Sequence, residues 1–581
     1  FNFFKTHLIF FVTKMKFNNL ITVIIFFLIS FVNVKSQHCA GYADSNFCYK
    51  IDEFKPLITG IEKKLELPNT VIGYSMHFLA DMDGDCKSEL VTFSRRGDSI
   101  YIVDLESGIT KISFPIKTVD ASNNSILIAD LEGDSIPEVI TQTIRNPSNP
   151  SSFDSDRLIC YQLDGSILWI SDTTVNAVND VNAKSGTLGI CDFNQDGILE
   201  VYTKNQIYSA LTGKKLADGG NNGLGLSRSA FGNYFPVSVA ANLDQDSSDL
   251  ELAAGFTIYK VIITNPSSLT GNLMIPYNLK INGVEEDGAT SIADINSDGI
   301  LDVVVSSPSQ NNNAILYAFY LDQKNTKLIV SNRFVNVNLI SLSSIGRLNT
   351  TGHPSILVNT STKLFAFRYT GLTTFKLDWV INTTDTSGVC GIALYDIDGD
   401  GIQEIIVRDN TDLRIVSGIG STPSILSQIN CYSITDRESP TLVDYTHSGD
   451  IKICVTCADP FLYRNPRITV FGPPDGDRWA PARGIWNQYA YNPLQINDDL
   501  TVPRVQKNQA TYGNGKYNNF MQQESLLDSN GYYKRPAASL TGKIQCINYD
   551  PITRLYSITF DLFNRKDASA AADSNLAISF F

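Results

Sequence analysis

The stretch ALYDIDGDGIQEIIVRD, residues 393–409, runs from an apolar segment through a loop of alternating Asp and Gly into a second segment of Ile and Val. Apolar β-branched runs on either side of such a loop predict strand, turn, strand. Its loop begins at Asp396, and seven other segments share the form. They are FLADMDGDCKSELVTF with its loop starting at Asp81, LIADLEGDSIPEVITQ at Asp130, GICDFNQDGILEVYTK at Asp192 and VAANLDQDSSDLELAAG at Asn242. After these come SIADINSDGILDVVVSS at Asp294, SIGRLNTTGHPSILVNT at Arg347 and LVDYTHSGDIKICVTC at Asp444. A copy begins roughly every 50 residues, which marks one supersecondary unit per interval.

Most intervals carry a second hairpin: SIYIVDLESGITKI from Ser99, LICYQLDGSILWI from Leu158, QIYSALTGKKL from Gln206, ILYAFYLDQKNTKLIV from Ile315 and KLFAFRYTGLTTFKLDWV from Lys363. Two hairpins make a four-stranded unit, and repeats of that size close into a β-propeller, where radial packing protects the sheet edges. The expected fold is all-β, with eight four-stranded blades from about Val71 to Tyr491. A seven-bladed ring with one divergent copy outside it is an alternative, as is an open solenoid or a row of small sandwiches.

The loops point to a cation. Numbered from the first loop residue, the better copies carry a carboxylate or Asn at positions 1, 3 and 5, often Gly at 6, and Asp or Glu at 9. Alternate residues of a tight turn can converge on one centre, Gly at 6 accepts an unusual φ, and residue 9 returns on the next strand. Full sets are Asp81, Asp83, Asp85, Glu89; Asp130, Glu132, Asp134, Glu138; Asp192, Asn194, Asp196, Glu200; Asp294, Asn296, Asp298, Asp302; and Asp396, Asp398, Asp400, Glu404. The fourth copy, Asn242, Asp244 and Asp246, is one residue longer before Glu251, which leaves its closing ligand open. The sixth, with Arg347, Asn349, Thr351 and Ser355, and the eighth, with Asp444, Thr446, Ser448 and Lys452, lack charge and are expected to be empty.

A hard cation taking six to eight oxygens suits such loops, whereas transition metals prefer His or Cys and Mg²⁺ keeps more of its water. The expectation is about five to six Ca²⁺ ions. For any single loop the competing reading is an Asx turn bonded to its own backbone. Turn stability does not require several like charges crowded together, however, and a divalent ion offsets their repulsion directly.

These DxDxDGxxE-type loops followed by apolar strands resemble the FG-GAP or VCBS repeat family, whose best-known relatives are the calcium-binding propellers of integrin alpha subunits. The resemblance covers most of the chain beyond the N-terminal segment. It implies a propeller and calcium. Propellers of this kind occur both in adhesive surface proteins and in some polysaccharide lyases.

The chain has 581 residues, 43% hydrophobic and 18% charged, and its 46 basic against 60 acidic residues give a net charge of −14. That balance opposes binding to nucleic acid or to anionic lipid, and five His leave few candidates for imidazole chemistry. Met15 and Lys16 precede the apolar run Leu20 to Val34, and Val32 and Ser36 suit cleavage before Gln37, so residues 15–36 read as a signal peptide. Residues 1–14 lie upstream of it and are expected to be untranslated, with residues 37–70 forming a Cys-containing lead-in. A retained signal anchor is the alternative, disfavoured because the run is short for a span. Export makes disulfides plausible among the ten Cys, and Cys39 with Cys48 is the one pairing expected. Cys454 and Cys457 form a lone CxxC, a weak metal or redox signal. Asn123, Asn349, Asn359 and Asn382 head glycosylation sequons.

From Trp479 the texture changes to RWAPARGIWNQYAYNPLQINDDLTVPRVQ and then YNNFMQQESLL. Residues 492–540 read as an irregular cap. Trp486, Asn487, Gln488, Asn497, Asp498 and Asp499 are candidates to line a polar site, although packing against the last blade is the simpler reading. Residues 541–581 are strand-like and similar to the opening of a CARDB-type adhesion module. A sandwich of that kind needs about 100 residues, so a truncated β-sandwich within a longer protein is expected.

Two functions fit. One is a secreted or surface-displayed, non-enzymatic adhesion protein presenting its propeller to a protein or glycan partner, with membrane association only through a missing C-terminal part. The other is a calcium-dependent carbohydrate-active enzyme such as a polysaccharide lyase, which requires a base and cations to hold a uronate. No local cluster nominates such catalytic residues.

Overall fold

A computed structural model describes residues 56–527 apart from 68–75, 86, 95–97, 117–124, 144–156, 174–185, 229–233, 309–312, 434–437, 447–448 and 460–465, together with residue 531 and four further strands. Cys39, Cys48, Asn123 and Ser448 lie outside the described residues. The chain divides into two compact units, residues 51–533, and residues 1–50 with 534–581. In the second unit, Phe11–Phe17 pairs with Leu20–Phe26 and Leu540–Asp550 with Leu555–Asn564, each as an antiparallel hairpin.

The first unit is a β-propeller of eight four-stranded blades. Each blade begins on its innermost strand: Phe78–Ala80, Ile126–Ala129, Gly189–Cys191, Ser238–Ala241, Ala289–Ala293, Ser344–Gly346, Ile392–Tyr395 and Thr441–Val443 for blades 1 to 8. The second strands start at Glu89, Glu138, Glu200, Glu251, Asp302, Ser355, Glu404 and Lys452, so every repeated loop is the first turn of a blade. All eight loops therefore open on one face of the ring. The second hairpins read from sequence form the third and fourth strands, as Ser99–Asp104 with Ile109–Pro115 in blade 1.

Burial falls outward along each blade, as radial packing requires. In blade 1 the two inner strands are fully buried, whereas the fourth strand is mostly exposed. The core lies between blades, in one large apolar cluster that includes Leu90, Val103, Ile128 and Val455 and two smaller ones, around Tyr202 and Leu252 and around Trp379 and Ile405. The fourth strand carries an extra, bulged residue against the third in blades 1, 2, 3, 5, 6, 7 and 8, which adds the twist a blade needs to pack on its neighbour. Two outer-strand tryptophans tie one blade to the next: Trp169 Nε1 donates to the Ala210 carbonyl at 2.8 Å and Trp379 Nε1 to that of Gly418 at 3.1 Å.

Ring closure uses a segment that the sequence pattern did not assign to the propeller. Glu62–Glu66, in the expected lead-in, pairs antiparallel with Arg467–Gly472 and supplies the fourth strand of blade 8. Its charged sequence EKKLE suits a solvent-facing edge. At the junction of blades 7 and 8 Arg408 and Glu438 form a fully buried ion pair at 2.8 Å.

The disulfide that forms among the described residues joins Cys431 to Cys457, so the CxxC is split: Cys454 is buried in the core and unpaired. Of the sequons, Asn359 is buried on the second strand of blade 6, with its backbone N–H held by Ser341, and is no acceptor for a glycan. Asn382 is exposed.

Residues 479–526 do not cap the last blade. They run through the centre of the ring and hydrogen-bond the free edges of the innermost strands. Leu79 and Trp486 exchange backbone bonds, as do Ile345 and Phe520. Ile128 donates to the Asn487 carbonyl, Asp444 to that of Arg483, and Leu394 to that of Met521. In blade 5, the Gln509 side chain donates to the Ile292 carbonyl at 2.7 Å. Beside blades 3 and 4, Phe235 of an extra hairpin meets Tyr489 edge to face at 5.1 Å. This plug holds its own irregular path through Arg483, which donates to Asp498 and to the carbonyls of Pro493 and Ile496, and through Trp486 stacked on Tyr491 at 4.6 Å.

Trp486, Asn487 and Gln488 are thus buried structural residues, and Asp498 is a partner of Arg483. Gln523 donates to the carbonyls of Leu442 and Ile485 and accepts from Tyr491, bridging plug and blade 8. Gln523→Ala leaves those buried groups unsatisfied and is expected to lower unfolding free energy by about 3 kcal/mol. Asn497→Ala, at an exposed plug residue, is expected to stay within about 0.5 kcal/mol. Denaturant melts of both variants check this, and equal effects would show that the plug is not what holds the inner edges.

Candidate metal centres

In six blades the loops share one internal geometry. The position 9 carboxylate is buried at the start of the second strand, and one of its oxygens accepts from the backbone N–H of position 2. The pairs are Glu89 with Met82, Glu138 with Leu131, Glu200 with Phe193, Glu251 with Leu243, Asp302 with Ile295 and Glu404 with Ile397, all between 2.8 and 3.0 Å. Position 1 is also largely buried at Asp130, Asp192 and Asp294. Its oxygens accept from the N–H groups of positions 5 and 6, as Asp192 does from Asp196 and Gly197 and Asp294 from Asp298 and Gly299. In loops 2, 3 and 5 positions 1 and 9 thus form a buried floor, and positions 3 and 5 are a more exposed rim.

The backbone explains the loop composition. Position 6 takes a positive φ, filled by Gly197, Gly299 and Gly401. Position 4 does the same, a requirement the sequence pattern did not reveal because Gln195 and Ser297 meet it without glycine.

The other oxygen of the position 9 carboxylate faces into the loop. Glu200 Oε1 and Asp302 Oδ1 are buried with no hydrogen-bond partner, and so is Asp396 Oδ1 at position 1 of loop 7. Buried anionic oxygens without a donor are costly, so the group must take a proton or a cation. Burial, and then the neighbouring carboxylates, push Glu404 up to about 9 and Asp396 up to about 7. Burial lifts Glu200 to about 8 and Glu138 to about 7, and holds Asp302 well above its usual range.

Among the described residues three loops gather three carboxylates within reach of one centre: Asp81, Asp83 and Asp85; Asp244, Asp249 and Glu251; and Asp396, Asp398 and Glu404. Several sites thus offer the hard oxygen donors a metal ion takes, and the orphaned buried oxygens fit such a guest. Loops 2, 3 and 5 do not gather three in this way. In loops 3 and 5 the position 3 amides, Asn194 and Asn296, donate to Asp196 and Asp298 instead.

Loop 4 differs from its sequence reading. Asn242 and Asp246 turn onto their own loop, bonding the Asp246 carbonyl and Ser248, while Asp249 joins Asp244 and Glu251. The inserted residue displaces the register and brings Asp249 into the cluster, and an acid two residues before Glu251 was the available signal. Loops 6 and 8 contain their own cations: Arg347 Nη2 donates to the Thr350 carbonyl at 2.8 Å, and Lys452 pairs with Asp450 at 2.6 Å.

Beside loop 7 lies a cavity of about 430 Å³ lined by Asp396, Asp400, Arg347, Lys516, Tyr517 and Glu524. Lys516 is bound to Glu524 at 2.9 Å, and the Tyr517 hydroxyl donates to the same oxygen at 2.5 Å. Burial, then the Glu524 charge, pushes the Tyr517 phenol well up.

No family model matches the chain, and no curated protein matches it. The FG-GAP/VCBS and CARDB resemblances therefore rest on the residues quoted for them. Solved structures do match. The V. cholerae biofilm matrix protein Bap1 is similar with a TM-score of 0.56 at 14% identity, over 81% of this chain and 98% of that one. Exotype rhamnogalacturonan lyase YesX has a TM-score of 0.45 at 13% identity, over 70% and 76%. Saccharomyces cerevisiae Sqt1 has 0.41 at 9%, over 72% and 100%. At these identities the Bap1 likeness supports the fold, and the two lower scores carry no argument. The class is an eight-bladed β-propeller with acidic first-turn loops.

The raised carboxylates set a pH dependence. Unfolded, these Glu side chains titrate near 4.5, whereas folded and metal-free Glu404 and Glu200 titrate near 9 and 8. Between those values the folded state binds more protons than the unfolded state, so stability falls as pH rises. The melting temperature of chelated protein is expected to drop from pH 5 to pH 9, and a divalent cation is expected to raise it most at the alkaline end. A flat profile in chelator would show that the loop carboxylates are solvated.

Proposed function

We propose that this propeller binds Ca²⁺ through its first-turn loops and acts as an extracellular adhesion or recognition protein. The observation that carries the metal reading is loop 7. Asp396, Asp398 and Glu404 are gathered around one centre, with a buried Asp396 oxygen lacking any donor. All-oxygen donors on a flexible turn favour Ca²⁺ over Mg²⁺ or a transition metal. The Cys431–Cys457 disulfide supports an oxidising compartment. The Bap1 likeness is compatible with an adhesive scaffold, and the ring presents eight loops on one face to a protein or glycan partner.

Lysis of a polyuronate is the second reading, favoured by the cavity beside loop 7, where Arg347, Lys516 and Tyr517 meet. Against it, Glu524 engages both Lys516 and Tyr517, which leaves the phenol a poor base. Incubation with a panel of polyuronates, followed by ultraviolet absorbance of unsaturated product, separates the two readings. Product formation lost in Tyr517→Phe would establish the enzyme.

For the metal, Asp398→Ala is expected to remove about one bound Ca²⁺ per chain in equilibrium dialysis, while Asp444→Ala leaves the number unchanged. Equal losses, or none, would sink the assignment of ligands.

A further inference from the structure

We propose that Lys111 and Lys260 are the resident cations of loops 1 and 4, seated where a metal would sit, so that these two loops exclude metal. This rests on the reading that first-turn loops bind Ca²⁺ and assigns which of them do not.

Lys111 Nζ lies 2.9 Å from Asp83 Oδ2, 2.8 Å from Asp85 Oδ2 and 2.8 Å from Glu89 Oε1. Lys260 Nζ lies 2.6 Å from Asp244 Oδ2, 2.7 Å from Asp249 Oδ1 and 3.1 Å from Glu251 Oε1. An ammonium has three N–H donors: Lys111 uses all three on carboxylate oxygens, and Lys260 uses two on Asp244 and Asp249 while its charge faces Glu251. The two lysines reach this point by different routes. Lys111 comes from the fourth strand of blade 1 and Lys260 from the third strand of blade 4. Arrival at the same place from different strands indicates that the place itself selects a cation.

The comparison with the other loops is made at a single atom. Glu89 Oε1 and Glu251 Oε1 are the position 9 oxygens held by the lysines, and their counterparts in loops 3 and 5, Glu200 Oε1 and Asp302 Oδ1, are buried and without a partner. Glu89 Oε1 accepts a hydrogen bond from Lys111, and Glu251 Oε1 is neutralised by the Lys260 ammonium at 3.1 Å without a hydrogen bond, whereas Glu200 Oε1 and Asp302 Oδ1 have neither. A Ca²⁺ ion at about 2.3 to 2.6 Å from the same oxygens would overlap the lysine nitrogen, so the two guests are mutually exclusive.

With Arg347 and Lys452 in loops 6 and 8, four of the eight blades carry their cation on the chain, which leaves for metal loop 7, whose carboxylates are already gathered, and loops 2, 3 and 5, whose acids have still to converge. Chelation then loosens blades 2, 3, 5 and 7 and spares blades 1, 4, 6 and 8.

The test uses the full chain with Lys111→Met and Lys260→Met made singly, since methionine keeps the length of the side chain and removes the ammonium. Bound Ca²⁺ is counted by equilibrium dialysis and melting is followed with and without chelator. Each variant is expected to bind about one Ca²⁺ more than the wild type, to melt lower in chelator, and to recover when Ca²⁺ is added. Lys214→Met, at an exposed lysine 3.7 Å from Asp172, serves as the control and is expected to change neither readout. A wild type that binds Ca²⁺ while both lysine variants bind the same number overturns this inference alone. A wild type that binds none overturns the broader metal reading, and a gain of one ion in the variants would still support the lysine assignment. A variant that folds only with Ca²⁺ present counts as support, and two variants that melt as the wild type does in chelator count against it.

Discussion

A propeller leaves the inner edge of every blade unpaired. The first strand of each sheet faces the axis with a row of N–H and C=O groups, and a buried backbone group without a partner costs about as much as a lost hydrogen bond. In this protein residues 479–526 answer that demand. Backbone groups of the plug pair with Leu79, Ile128, Ile345, Leu394 and Asp444, and side-chain amides such as Gln509 and Gln523 reach Ile292 and Leu442. The abundance of Asn, Gln and aromatic residues follows, because an irregular chain cannot meet strand edges in regular register and uses side-chain amides to make up the difference.

Blade 8 is held by two further devices. The strand Glu62–Glu66 completes blade 8 across the whole length of the propeller sequence, and the buried Arg408–Glu438 pair lies at the junction of blades 7 and 8. Removing one partner of such a pair leaves an uncompensated buried charge, which is costly. Closure itself depends on residues far apart in the chain, the Glu62–Glu66 strand on Arg467–Gly472 and His77 on Thr456, as expected of a fold whose last blade borrows its edge from the start.

The first-turn loops carry a second constraint of the same kind. Burying the position 9 carboxylate anchors the turn through the position 2 N–H, but it strands the other oxygen in a low-dielectric site. The protein meets this with lysine in loops 1 and 4 and leaves the oxygen open in loops 3 and 5. The cavity beside loop 7 places a candidate ligand surface next to the most complete carboxylate set.

The repeat, the strand, turn, strand unit and the eight blades were legible in the sequence because hydrophobic alternation and turn residues are local signals. So was the gathering of Asp396, Asp398 and Glu404, since residues 1 and 3 share one turn and the hairpin register returns residue 9 beside them. Tertiary structure alone decided the rest. Lys111 lies 22 residues beyond Glu89, as the bulged residue of the fourth strand, and nothing local shows that its ammonium returns to the loop. Asp249 entered loop 4 through an insertion whose path the ladder of blade 4 set. The partner of Cys457 proved to be Cys431, 26 residues away, and Asn359 proved to be buried in spite of its sequon. Trp486 and Gln523 had no readable role until the inner edges of distant strands stood around them, because an unpaired edge is created by the assembly of the ring and exists in no single repeat.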